Sequence, residues 1–346
     1  MFAFGSPLET PRLERPETIS EDRGMHALTF SRFGGPEVLE WTAVPDPQPA
    51  PGIAVVSTHA IGLNFADIYR RQGRYHLAGS PPWIAGYEAA GEIAALHPDA
   101  GSGALRIGQR VAFADSAFAN AERVAVPLDH LIALPNDIDF ETAAALLLQG
   151  LTAQFLVEDS HTVRAGETVL VHAAGGGVGQ LLLQLARSRG AHVIALASSE
   201  HKRHAAIAAG ATHAVDSSDG WVERVRELAP DGVDVVYDSI GVTLADSLTL
   251  ARSGGTIVFY GMAGGDPAAV DSRVLMDRSL TLVGGDLWNV LTTAHARQQR
   301  ADTLFAAVRA GHLRVTIAAR FALRDGAQAH ALLERRGVAG KVLLIP

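Results

Sequence analysis

Six consecutive residues, Ala174-Gly175-Gly176-Gly177-Val178-Gly179, carry the clearest chemical signal in the sequence. They form a G-x-G-x-x-G turn with alanine in the first glycine place. Such a turn lets the backbone approach a pyrophosphate, whose charge then meets the free N–H groups and positive dipole end of a following helix. A glycine-rich turn also serves as a tight strand-to-helix connection with no ligand. The strand before it, the helix after it and the strand-helix units downstream favour a nucleotide. Other chemistries find less to work with. The chain has no cysteine, which excludes disulfides, thiolate nucleophiles and cysteine-ligated zinc. There is no G-x-S-x-G elbow and no G-x-x-x-x-G-K-[ST] loop to anchor hydrolase or P-loop chemistry. His201 and His204 lie one helical turn apart, but without a third ligand they read as solvated surface groups, and no metal is expected.

The elements that must hold the turn are legible around it. Val169, Leu170 and Val171 are an apolar run of strand type, and Leu181, Leu182, Leu185 and Ala186 recur at helical spacing on one face. Strands are expected at His192 to Ala197, Ala214-Val215, Val233 to Tyr237, Thr256 to Tyr260 and Leu280 to Val283. Helices fill the gaps near Glu200 to Ala209, Gly220 to Leu228, Leu244 to Ala251 and Thr292 to Ala310. Six strands in this rhythm make a doubly wound parallel sheet. Upstream, from His26 to about Leu134, short strand-like runs separated by Gly and Pro signals suggest a β-rich, partly barrel-like domain. Phe140 to Leu156 is mostly helical, and Val315 to Pro346 returns to strand, helix and strand. The fold class is therefore α/β, and 346 residues with 48% hydrophobic content can bury two cores.

Residues 1–24, rich in proline and charge, read as a mobile extension, although translation starting at Met25 fits equally. A net charge of -8 disfavours a nucleic-acid partner. No apolar run approaches the roughly 18 residues of a membrane span, and no signal-peptide pattern is present. A cytoplasmic location is the expectation.

Seven runs give the chain a family likeness: FGGPEVLE from Phe33, AIGLNFADIYRRQGRY from Ala60, GYEAAGEI from Gly86, GQRVAF from Gly108, QGLTA from Gln149, HAAGGGVG from His172 and GKVLLIP at the end. Over Met25 to Pro346 the chain resembles the zinc-independent, zeta-crystallin-like quinone oxidoreductase branch of the medium-chain dehydrogenases and reductases. The resemblance implies a GroES-like catalytic domain over 25–150 and 290–346, a Rossmann domain over 151–289 inserted into it, a cleft between the two and a homodimer. Zinc-dependent relatives place a cysteine where this chain has Asn64 and a histidine where it has Tyr87, so both metal positions are lost. Without that Lewis acid, metal-assisted alcohol oxidation is not expected, and hydride transfer carried by a cofactor remains.

The resemblance also nominates site residues. Matching through Gly210-Ala211-Thr212 puts Ala197 where NAD-dependent relatives hold the ribose with aspartate. Ser198, Ser199 and Lys202 then offer hydroxyls and a cation to a 2′-phosphate, which points to NADPH, although Lys202 also fits a solvated helix position. Ser217 replaces a family tyrosine at this site, and Arg336 matches a family arginine near the same end. Gly176, Gly177, Val178 and Gly179 would face the pyrophosphate, Thr152 the nicotinamide, and Ser239 and Gly261 follow two strands at their carboxyl ends. Asn64 and Tyr69 would lie near the nicotinamide and the acceptor, with Tyr75 lining the pocket. An amide N–H or a phenol suits an acceptor oxygen that becomes anionic. Both tyrosines could instead be packing residues. The expected function is NADPH-dependent quinone reduction; the alternatives are reduction of an activated carbon–carbon double bond, as in alkenal and enoyl reductases, or NADPH or RNA binding without turnover.

Overall fold

A computed structural model describes residues 24–99 and 105–346 of the protein. The extension read over residues 1–24 lies, apart from Gly24, outside the described residues. Gly24 opens the first strand, Gly24–Phe30.

The six strands expected around the glycine turn form one parallel sheet. Its spatial order is His213–Asp216, His192–Ala197, Thr168–Val171, Val233–Asp238, Ala251–Phe259 and Thr281–Gly284. Helices cover both faces, so these strands are buried on two sides and read as continuous Val, Ile, Leu and Ala runs rather than as alternating ones. From Thr168–Val171 the chain winds first toward one edge and then toward the other. That reversal leaves a crevice beyond the carboxyl end of Thr168–Val171, beside Val233–Asp238, and the glycine turn sits in it.

A seven-stranded sheet gathers the β-rich segments, with Ile53–Leu63 at its centre. This strand pairs with Ala89–Leu96, with Arg123–Pro127 and, antiparallel, with the last strand Lys341–Ile345 (Leu344 opposite Ile61). The nucleotide-type sheet is thus inserted between two parts of one sheet. A three-stranded sheet that includes Glu40–Pro45, unanticipated from sequence, flanks it.

The helix Phe140–Phe155 packs against both halves, touching strand Ile53–Leu63 on one side and helix Gly177–Ser188 on another. At Gly62 the approach is so close that a Cβ would lie 2.3 Å from the Ala144 carbonyl oxygen, and only glycine fits. With its continuation to Ser160 this helix is long and apolar enough to cross a membrane by length and composition, which corrects the expectation that no such run exists. Its window is 72% buried inside the protein, and Gln149 and Gln154 are enclosed with it, as in a core helix.

Two short helices also escaped the sequence reading, Phe65–Arg71 and Ser272–Arg278. The first matters for function. Its start is fixed by the Asp67 carboxylate, which accepts the Asn64 backbone N–H at 2.9 Å, the reciprocal half of a capping box.

Candidate active site

A cleft of about 600 Å³ runs between the two sheets, lined from both. At its centre the turn delivers the N-terminus of helix Gly177–Ser188. The first-turn N–H groups of Gly177, Val178 and Gly179 have no acceptor within a helix, and all three residues line the cleft. Glycine is required here for closeness rather than for a special φ. A Cβ at Gly179 would meet backbone, the Ala173 carbonyl oxygen at 2.5 Å and the Ala174 Cα at 2.7 Å. The turn also touches the other domain, where Gly176 bridges to Gly340.

One end of the cleft is cationic. Lys202, Arg336, Ser198 and Ser217 all line it. The Lys202 ammonium donates to the Arg336 carbonyl, and the Arg336 guanidinium donates to the Ala263 carbonyl, so this cation pair ties the two domains across the cleft. Burial, and then the neighbouring Arg336 charge, hold the Lys202 pKa below its ordinary value. Arg336 sits at φ 55°, in the left-handed region that disfavours a side chain. Ala197 ends its strand without a carboxylate, as the sequence indicates. Ser199 departs from expectation: it lies outside the cleft lining and its Oγ caps helix Glu200–Ala208 by accepting the Lys202 backbone N–H at 3.3 Å. Glu200 is exposed and likewise outside the lining, and His201 and His204 are both exposed.

The other end is aromatic. Asn64, Tyr69, Tyr75, Thr152, Ser239 and Gly261 line the cleft, as do Arg70, Tyr260, Asp286 and Trp288. Tyr69 accepts the Met262 N–H at 3.2 Å on its hydroxyl oxygen, which leaves its own hydrogen to give. Burial pushes its pKa up to about 12, so the phenol holds that hydrogen at neutral pH. Tyr75 donates to Asp286 Oδ2 at 3.2 Å, and burial followed by the Asp286 charge raises its pKa.

Asn64 is placed where the sequence reading puts it but is engaged differently. Its Nδ2 donates to Glu88 Oε2 at 2.9 Å and to the Gly62 carbonyl at 3.2 Å, so both amide hydrogens are used. Its Oδ1 accepts from Lys341 Nζ at 2.8 Å and from Gln149 Nε2 at 3.2 Å. An N–H for the acceptor is therefore not available from Asn64. Lys341 Nζ also reaches Glu88 Oε2 at 2.6 Å, and the other Glu88 oxygen accepts the Leu148 N–H at 2.6 Å. Glu88 and Lys341, fully buried, join the β sheet, the core helix and the last strand at the floor of the site. Neither was singled out from the sequence; the GYEAAGEI and GKVLLIP runs that contain them were.

The cleft suits a dinucleotide phosphate on this chain's own evidence. Its lining holds Lys202 and Arg336 at one end and the first-turn N–H groups of Gly177, Val178 and Gly179 at the centre. Among the described residues no group of three or more His, Cys, Asp or Glu could hold a metal ion.

Comparison with known proteins decides the family. Residues 50–163 match the alcohol dehydrogenase GroES-like domain and residues 177–298 the zinc-binding dehydrogenase domain. A quinone oxidoreductase of Pseudomonas aeruginosa is 38% identical over 325 residues, 92% of this chain and 99% of that one. The chain belongs to the zinc-independent quinone oxidoreductase branch of the medium-chain dehydrogenase/reductase superfamily. A 2-haloacrylate reductase of a Burkholderia species is 36% identical over 92% of this chain and 98% of its own. The quinone oxidoreductase of Escherichia coli, solved in complex with NADPH, superposes with a TM-score of 0.89 at 34% identity, over 93% of this chain and 100% of that one.

Proposed function

We propose that this quinone oxidoreductase family member binds NADPH in the cleft and reduces quinones without zinc. The observation that carries the reading is the polarity of the cleft: the cations Lys202 and Arg336 at one end, a helix N-terminus at the centre and a phenol that keeps its hydrogen at the other. The NADPH-bound relative and the quinone-reducing relatives support it.

In this reading NADPH, when bound, supplies a hydride from its nicotinamide. The protein positions and polarises. The N–H groups of Gly177, Val178 and Gly179 receive the pyrophosphate. Lys202 and Arg336, with Ser198 and Ser217 beside them, take the 2′-phosphate, the two cations giving up the interdomain contacts they make here. Thr152, Ser239 and Gly261 flank the nicotinamide. Tyr69 offers its hydroxyl hydrogen to the acceptor oxygen, Asp286 fixes Tyr75 beside it, and Asn64, held from four sides, closes the floor. Domain limits of 25–150 with 290–346, and 151–289, belong to this reading, which the division into two sheets supports, and the family likeness supports a homodimer, which sedimentation of the purified protein tests.

The second reading, reduction of an activated double bond, is favoured by the 2-haloacrylate reductase at 36% identity. The two differ in proton demand. A quinone oxyanion takes its proton from water or a phenol, whereas an alkene needs protonation at carbon, where a dedicated acid helps more. Oxidation of NADPH by purified protein against small quinones and 2-alkenals separates them. Quinones should turn over faster; efficient reduction of 2-alkenals with quinones untouched would replace the proposal with the second reading.

A further inference from the structure

The acceptor end of the cleft holds few hydrogen-bond donors that are free to act. Asn64 has committed both amide hydrogens, and Tyr75 has given its hydroxyl hydrogen to Asp286. Tyr69 retains one. Another is on Arg70. This side chain lines the cleft yet is 3% exposed. Its Nη1 donates to Asp67 Oδ1 at 3.2 Å and its Nε to the His76 carbonyl at 3.2 Å, while Nη2 is buried with no partner. The guanidinium lies 3.6 Å from the ring centroid of Tyr87, with Tyr75 at 5.0 Å and Trp288 at 5.7 Å. Three aromatic rings and two hydrogen bonds thus hold the guanidinium in place. A buried, charged N–H without an acceptor is costly unless a ligand oxygen meets it.

We infer that Arg70 is a second electrophile of the acceptor site, with its free Nη2 donating to the quinone oxygen on which negative charge develops as hydride arrives. This rests on the function proposed above and assigns it an acceptor class. Asp67, 2% exposed, already pairs the Arg70 charge, and Asp286 lines the same cleft. The site therefore offers an unpartnered N–H with little surplus positive charge. That suits a carbonyl that is neutral on arrival better than a carboxylate, which would meet Asp286. The nicotinamide C–H bond breaks as its hydride forms a new O–H bond at one quinone carbonyl oxygen, which leaves the nicotinamide oxidised. The displaced π pair settles on the conjugated oxygen as an oxyanion, and one proton from solvent completes the hydroquinone.

The test uses the full-length protein with two substitutions, Arg70→Lys, which keeps a cation for Asp67, and the pair Arg70→Met with Asp67→Asn, which removes both charges together. NADPH affinity by fluorescence titration, fold by circular dichroism, and kcat and KM for 1,4-benzoquinone and for 2-chloroacrylate are measured on each. Expected for Arg70→Lys are unchanged NADPH affinity, a fall in kcat for benzoquinone of roughly ten- to a hundredfold and a KM within about twofold, because the contact is made with charge that appears only after the hydride moves. A raised KM at constant kcat, with 2-chloroacrylate the better substrate of the unsubstituted protein, would show a carboxylate anchor and overturn the inference. Unchanged kcat in the folded lysine variant overturns it too, whether or not the double variant folds. If the unsubstituted protein with NADPH reduces no quinone, the proposed function falls and this inference with it; if it does and Arg70 is dispensable, only the inference falls.

Discussion

Replacing Lys341 by methionine tests whether the buried Glu88–Lys341 pair holds the acceptor site together. The ammonium is 1% exposed and makes two contacts, 2.6 Å to Glu88 Oε2 and 2.8 Å to Asn64 Oδ1. Removing one partner of a buried ion pair costs about 3–5 kcal/mol, because the other charge is left uncompensated. Glu88 keeps the Asn64 Nδ2 and Leu148 N–H donors at 2.9 and 2.6 Å, which places the expected loss at the lower end, about 3 kcal/mol. At roughly 2–4 °C per kcal/mol for a domain of this size, the midpoint of thermal unfolding should fall by about 6–12 °C. Scanning calorimetry or near-ultraviolet circular dichroism reads it. Adding Glu88→Gln should restore much of the loss, since a neutral amide no longer requires a cation. A Lys341→Met protein that melts with the unsubstituted one, or a double variant less stable than either single one, would refute this account of the pair.

Three further outcomes follow. Lys202→Ala should raise the NADPH dissociation constant ten- to a hundredfold, for a lost charge-assisted contact of about 1.5–3 kcal/mol, and leave NADH binding almost unaltered; equal affinity of the unsubstituted protein for both nucleotides would show the cationic end misread. Tyr69→Phe should lower quinone turnover without abolishing it. With its pKa pushed up to about 12, Tyr69 stays protonated from pH 7 to 9, so its contribution to kcat should be flat there. The folded state then holds a proton that the unfolded state loses at the ordinary tyrosine value of about 10, so the stabilising contribution of this group is present below that pH and is lost as pH rises toward 12. Chelator treatment should leave activity and stability unchanged, and stoichiometric zinc by elemental analysis of purified protein would overturn the metal-free reading.

The parts of this molecule that could be read from sequence are those encoded locally. The strands from Thr168–Val171 to Thr281–Gly284 announce themselves because each is an apolar run bounded by turn residues, and the glycine turn because strand, glycines and helix are contiguous. The helix Phe65–Arg71 was hidden by its seven-residue length, although the Asn64-to-Asp67 spacing is a usable start signal. Asn64 lines the cleft, but the use of its amide depends on residues at 62, 88, 149 and 341, which no local pattern joins. Arg70 reads as one more charged residue until Tyr87 and Trp288 are seen to enclose it. Ser199 shows the reverse error: a hydroxyl suited to a phosphate is spent on capping its own helix.

The closure of the catalytic sheet by Lys341–Ile345 sets an order on biosynthesis. The strands of the nucleotide sheet are complete by Gly284, whereas Glu88 waits for a cation 253 residues further along the chain. A nascent chain therefore has every strand of the nucleotide sheet synthesised before the counter-charge of the central carboxylate of the acceptor site. The glycine turn meets its neighbour Gly340 only in the same last stretch. A chain cut short before Lys341 keeps the residues of the turn and lacks the cation that Glu88 and Asn64 share.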